Sequence, residues 1–298
     1  MSFDLAAYLK ERREVVNRAL DRFLPPADTF PTSIHEAMRY SVFAGGKRLR
    51  PILVIGAAEV AGGAIEPVLP TACAFELIHT YSLIHDDLPA MDDDDFRRGR
   101  PTSHKVFGEA VAILAGDALF TLGVRLLAES FLVGAADPAL LPELLAEVTD
   151  AAGTPGMIGG QVVDIESEGR VVSPDVLEYI HTHKTGALIR AALRAGALLA
   201  GASDSVLGAL TAYGERLGLV FQIVDDILDV EGSLETLGKT AGSDRRKKKV
   251  TYPEFHGLAA SKARAAALTR EAHAALAGLG RAAEPLAALA DFVLHRQA

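Results

Sequence analysis

The sequence predicts an all-α fold, a single large helical bundle of about ten or more helices, and three observations carry that expectation. Apolar residues recur at three- and four-residue spacing along most of the 298 residues, and no alternating strand pattern repeats. Ala and Leu dominate, while aromatics make up 6% with no Trp, a mixture that favours helix over strand. The helical runs are separated by short Gly, Pro, Asp or Ser punctuation, and no linker divides the chain, so residues 1–298 are expected to form one domain.

The periodicity places helices near 3–23, 32–43, 48–61, 67–91, 103–132, 138–167, 174–201, 205–230, 260–277 and 282–296. Stops are marked by Pro25-Pro26, Gly45-Gly46, Gly62-Gly63 and Gly232. Ser173-Pro174 reads as a helix start, with Ser as the cap and Pro at the first helical position. Ala110 to Leu127 and Ala187 to Leu199 are apolar around most of their circumference, which suits helices at the centre of a bundle or in a subunit interface. Residues 238–252 form a polar, glycine-containing loop ending in the basic run 245–249.

An apolar content of 49% against 23% charged residues rules out wholesale disorder. The net charge of −9 argues against nucleic-acid binding through the general field, but leaves room for an anion held by a local basic cluster or by metal ions. Cys73 is the single cysteine, so no internal disulfide can form. No targeting segment and no uninterrupted apolar stretch of about 20 residues is present. A soluble, cytoplasmic protein is the expectation.

Two aspartate clusters carry the chemistry. Residues 84–95 read Ile-His-Asp-Asp-Leu-Pro-Ala-Met-Asp-Asp-Asp-Asp after an apolar helical stretch. Six aspartates at a helix C-terminus, where the dipole is already negative, repel one another unless cations neutralise them. Such a run alone is commonly a solvated loop. The second cluster, Asp225-Asp226-Ile227-Leu228-Asp229, tilts the balance, since it sits inside another apolar helix. Asp225 and Asp229 lie ~40° apart around that helix and share a face. Two such helices facing each other would form an oxygen-only site for a hard divalent cation, and Mg²⁺ suits it. A di-iron bundle needs Glu-x-x-His pairs, and none accompanies these aspartates.

Basic residues supply the matching half of a diphosphate site. Gly45-Gly46-Lys47-Arg48-Leu49-Arg50-Pro51 puts Lys47 and Arg50 three apart on one face, and Arg97-Arg98 follows the first aspartate run. Lys184-Thr185-Gly186 lies inside a helix, Lys239 begins the polar loop, and His79 stands seven residues before Asp86 on nearly the same face. There is no Walker loop and no Gly-x-Gly-x-x-Gly.

Taken together, these motifs resemble the trans-type (all-E) isoprenyl diphosphate synthases. The likeness runs roughly from Ser33 to Pro253 in the family's order: the 45–51 glycine–basic motif, Asp86-Asp87 through Asp92 with Arg97-Arg98-Gly99, Gly159-Gly160-Gln161 with Asp164, Lys184-Thr185, Asp225-Asp226-x-x-Asp229, and Gly238-Lys239-Thr240. The resemblance implies the isoprenoid-synthase bundle around a central cavity and a head-to-tail condensation of an allylic diphosphate with isopentenyl diphosphate. It implies three Mg²⁺ ions, with Mn²⁺ a substitute: Asp86 and Asp92 as ligands of two, with Asp87 supporting, and Asp225 as ligand of the third, with Asp226 and Asp229 nearby. It places Arg97, Lys184, Thr185, Gln222 and Lys239 on the allylic diphosphate, and Lys47, Arg50, His79 and Arg98 on isopentenyl diphosphate. It also implies a homodimer.

For product length, the resemblance points to Tyr81 and Ser82, one turn or so before Asp86. An aromatic at 81 with the two-residue insertion Pro89-Ala90 resembles bacterial farnesyl diphosphate synthases and implies a fifteen-carbon product; a twenty-carbon, geranylgeranyl product is the alternative. A terpene cyclase is disfavoured because Asp225 to Asp229 does not fit its second metal motif. A non-catalytic partner subunit would have lost an aspartate motif or basic residues, and a cation-buffering protein would not need the basic set. The chain ends in His295-Arg296-Gln297-Ala298, less basic than the tail that helps close the site in many relatives, which weakens the case for closure by the C-terminus.

Overall fold

The computed structural model describes residues 3–133, 135–170, 172–231 and 251–296. Its helices are α1 (Leu5–Phe23), α2 (Thr32–Val42), α3 (Leu49–Val60), α4 (Ile65–Asp86), α5 (Ser103–Phe107), α6 (Glu109–Leu132), α7 (Leu141–Ala152), α8 (Met157–Ser167), α9 (Pro174–Ile180), α10 (Ala187–Leu199), α11 (Asp204–Glu231), α12 (Tyr252–His256), α13 (Leu258–Leu276) and α14 (Glu284–His295). Among the described residues the all-α expectation holds except for one minimal hairpin, β1 (Phe96–Arg97) against β2 (Arg100–Pro101). Arg98 and Gly99 form its turn, both at positive φ, as a tight two-residue hairpin requires.

Helix α3 is the innermost element: every residue from Arg50 to Ala58 is buried, and it packs against both α4 and α10. Helix α10 in turn packs on α4 and α11, the two helices that carry the aspartates. Helix α6 lies along α4 at very short range. A Cβ on Gly116 would fall 2.2 Å from the His85 ring, and one on Gly123 would fall 3.1 Å from Ile78. The uniform apolarity of α6 therefore conceals two different faces. Ala112, Ala115, Leu119 and Leu126 are buried, whereas Ile113 and Leu114 point outward. By length and composition α6 would pass as a membrane span, but its inward face packs as a core helix of the bundle does.

Several predicted boundaries shift for identifiable reasons. The run expected at 67–91 stops at Asp86, where Asp87, Leu88 and Asp92 turn their N–H groups back onto the carbonyls of Leu83, His85 and Asp86 at the end of α4. The run at 103–132 breaks at Gly108, whose φ is 82°, and that at 138–167 breaks around Gly153 and Gly156. Ser173 caps α9 by its backbone carbonyl alone; its side chain makes no capping bond, although Pro174 does take the first helical position. Helix α12 follows a segment that periodicity could not place, and the Glu254 carboxylate fastens its start by accepting from the Thr251 N–H at 3.2 Å. The polar loop and basic run expected at 238–252 lie, apart from 251 and 252, outside the described residues.

Candidate active site

The glycine–basic motif is a chain reversal held by arginines. Gly45 and Gly46 have φ of 102° and 121°, and Arg48 enters α3 from the left-handed region at 54°. At its φ of 121° Gly46 takes a backbone conformation that other residues rarely adopt, and the Arg98 guanidinium lies over it, 2.6 Å from where a Cβ would be. Arg98 also donates to the Gly45 carbonyl. Arg48 turns inward, donating to the Val42 carbonyl at 2.7 Å and pairing with Glu76 at 2.7 Å, with both side chains 3% exposed. This buried pair fixes the loop that presents Lys47 on one side and Arg50 on the other.

Arg50 is buried, and its Nε has no hydrogen-bond partner among the described residues. Burial pulls its guanidinium down to about 10, with Glu76 opposing and Arg98 adding to the effect. His79 lies beside it. Burial, together with the charges of Arg50, Arg98, Arg97 and Arg48, holds that imidazole well below its ordinary range, so it stands neutral among cations. A cluster of like charges around an unmet donor is suited to receive an anion.

The first aspartate wall adjoins this cluster. Asp92 donates its N–H to the Asp86 carbonyl at 2.8 Å, which folds the loop so that both residues sit half-buried at the end of α4. Asp87 is buried and faces the hairpin, where its carboxylate accepts from Arg97 Nε at 2.7 and 2.9 Å and also pairs with the Arg97 terminal nitrogen. Burial pushes the Asp87 carboxyl above its usual range, with Arg97 pulling the other way. Asp87 is thus a holder of Arg97. Tyr81 is 8% exposed, its ring set edge-on against Phe120 at 5.1 Å and His85 at 5.7 Å, on the side of α4 that meets α6. The Ser82 hydroxyl bonds the His79 carbonyl at 2.9 Å.

The second wall depends on a π-helical turn, His181–Gly186, between α9 and α10. Such a turn widens the helix by one residue and rotates the side chains that follow it. Lys184 thereby reaches Asp164 on α8 at 2.6 Å, and the Thr185 hydroxyl donates to Gln222 Oε1 at 2.9 Å. Gln222 Nε2 donates to Asp226 at 3.2 Å, and the same carboxylate accepts from the Tyr252 N–H at 2.8 Å and lies 3.3 Å from His181 Nε2. Asp226 is therefore an anchor that ties α11, the π turn and α12 together. Asp225 is instead half-exposed, and Asp229 on the same face is buried.

Glycines set the approach of these elements. A Cβ on Gly160 would lie 2.2 Å from the Lys184 backbone nitrogen, and one on Gly218 would lie 2.7 Å from Gly186. Gly160→Ala is expected to destabilise the fold by about 1–3 kcal/mol through overpacking. Its denaturation midpoint should fall; an unchanged midpoint would mean that α8 yields freely.

The two walls meet through the glycine loop. Lys47 lies within electrostatic reach of Asp225 and of Arg296, and burial together with Arg296 lowers its pKa. Lys239 lies outside the described residues. Sequence reasoning gave no role to Glu76, His181 or Arg296. A buried acid four residues before Thr80 in an apolar helix was the one signal for Glu76, whereas the other two act through long-range contacts that no local spacing announces.

Comparison with known proteins identifies the family. The polyprenyl synthetase family model matches residues 31–277. Geranylgeranyl diphosphate synthase of Cyanophora paradoxa is 46% identical over 99% of this chain and 97% of its own length. The chloroplastic heterodimeric geranylgeranyl pyrophosphate synthase large subunit 1 of Arabidopsis thaliana is 49% identical over 99% of this chain and 80% of its own. Among solved structures, an FPP/GFPP synthase from Zymomonas mobilis superposes with a TM-score of 0.87 at 34% identity, covering 97% of this chain and 98% of that one. The chain belongs to the polyprenyl synthetase family of trans-prenyltransferases.

Proposed function

We propose that this protein condenses an allylic diphosphate with isopentenyl diphosphate in a Mg²⁺-dependent reaction and that its main product has twenty carbons. The observation that carries the reading is the receptor of Arg50, Arg98 and neutral His79, with a buried unpaired Nε, set beside the Asp86–Asp92 loop. One half of that arrangement wants an anion and the other a cation, which is what a metal diphosphate provides. The donors are all oxygen. Among the described residues no three carboxylate, imidazole or thiolate groups gather into a ready-made cage. That fits Mg²⁺, which keeps several waters and completes its shell with phosphate oxygens.

In this reading Asp86, Asp92 and Asp225 hold three ions, for which Mn²⁺ can substitute. When bound they supply Lewis-acid charge to the oxygens of the departing diphosphate. Lys184, Arg97, Thr185, Gln222 and Lys239 hold the allylic diphosphate, while Lys47, Arg50, Arg98 and the N–H of His79 hold isopentenyl diphosphate. The allylic C–O bond breaks with its electron pair leaving on diphosphate. The isopentenyl double bond attacks the resulting allylic cation, and a proton is lost to the released diphosphate. Water is excluded from that cation by apolar walls. We also propose a homodimer in which a second copy covers the outward Ile113 and Leu114 of α6, with neither nucleic acid nor a membrane span involved.

The names of the relatives support twenty carbons. The fifteen-carbon reading rests on Tyr81, whose ring stands on α4 five residues before Asp86 and so could stop a growing chain. One further isoprene unit adds about 3–4 kcal/mol of apolar burial, so only a steric stop limits growth. Chromatography of dephosphorylated products from labelled isopentenyl diphosphate is expected to show C20 from the wild type. A C15 product that lengthens in Tyr81→Ala would establish the second reading, and no elongation at all would overturn both.

A further inference from the structure

Helix α14 ends at His295, and the next residue folds back over α11. The Arg296 guanidinium lies 3.9 Å from the Phe221 ring centroid, donates to the Phe221 carbonyl at 2.9 Å, and donates to Asp225 Oδ1 at 3.2 Å. Its side chain is 5% exposed, whereas that of Asp225 is 43% exposed. Its Nε is buried and makes no hydrogen bond among the described residues. Arg296 has therefore been drawn out of water to meet a carboxylate that is itself still half in water, with one of its own donors unmet. An Arg buried in this way is expensive unless a charge compensates it, and Asp225 is the only carboxylate it is seen to pair with among the described residues.

We infer that Arg296 is a built-in cationic placeholder at Asp225, which a divalent cation must displace in order to use that carboxylate. The inference rests on the proposed reading of Asp225 as a cation ligand. The Arg296 guanidinium on Oδ1 already neutralises the carboxylate and repels a second cation arriving at the same group, so docking of Arg296 and binding of the ion oppose each other. By linkage the opposition is reciprocal: Arg296 weakens the ion by the same factor by which the ion loosens Arg296. The consequence is that Asp225 stays neutralised when no metal is present, and Arg296 is freed only when the ion is seated.

The experiment is a titration of the full chain with Mn²⁺ in the presence of inorganic diphosphate, without any prenyl substrate, with free Mn²⁺ read by electron paramagnetic resonance. Asp225→Asn should remove or weaken one of the bound ions. Arg296→Gln should tighten that same ion by about two- to fivefold, the scale of a half-exposed ion pair. Arg296→Lys, which keeps the charge but loses the planar fork over Phe221, should fall between Arg296→Gln and the wild type. An unchanged or weaker ion in Arg296→Gln, with Asp225→Asn still losing it, would overturn the placeholder while leaving the metal reading intact. An Asp225→Asn protein that binds every ion as the wild type does would overturn both.

Discussion

Asp86→Ala, Asp92→Ala and Asp225→Ala are each expected to lower turnover at least ~10²-fold, the scale of removing one preorganised electrostatic contact from a reaction that develops charge. The expectation follows from where the carboxylates stand. Asp86 and Asp92 are half-buried and are brought together by a backbone hydrogen bond of 2.8 Å, and Asp225 is half-exposed at the end of the Lys47 loop's reach. Asp226 differs in kind. It accepts from Gln222 and Tyr252 and lies against His181, so Asp226→Asn should act by loosening the π turn. Steady-state rates with saturating Mg²⁺ separate the two cases. Near-normal rates in all three alanine variants would remove the metal assignment.

Glu76→Ala is expected to cost about 3–5 kcal/mol of stability, because it strands a buried arginine charge. Arg48 would keep its bonds to the Val42 carbonyl at 2.7 Å and to Asn17 at 2.9 Å, but nothing would balance its charge. Arg50 also depends on Glu76, the one negative charge among the described residues that opposes its burial and the field of Arg98. The loss should therefore reach the receptor as well as the fold: the surviving folded protein should bind inorganic diphosphate differently from the wild type. Chemical denaturation measures the first effect. A change below about 1 kcal/mol would mean that the Asn17 amide and the backbone carbonyls suffice to hold Arg48.

The helices were legible because their apolar stripes obey the 3.6-residue period, and α10 and α11 appear close to where periodicity put them. The motifs were legible because charged residues in apolar helices are rare, so Asp225 and Lys184 stood out from their neighbours. The sequence did not show how these motifs are used. No spacing distinguishes a half-exposed carboxylate that meets the Arg296 guanidinium from one that anchors three elements, yet Asp225 and Asp226 are adjacent and differ in this way. Nor does periodicity reveal a π turn, since the one-residue widening at His181–Gly186 leaves the apolar pattern on either side unchanged. Breaks at Gly108 and Gly153 were read through because apolar residues continue at helical spacing across them. Arg296 escaped because its partner lies 71 residues away.

The most direct test of the central claim, that the two aspartate walls form one cation and diphosphate site, is anomalous diffraction from crystals grown with Mn²⁺ and inorganic diphosphate. Manganese peaks are expected on Asp86 and Asp92 and another on Asp225, with one diphosphate between them. Manganese on the first wall alone, or diphosphate bound away from both, would contradict it.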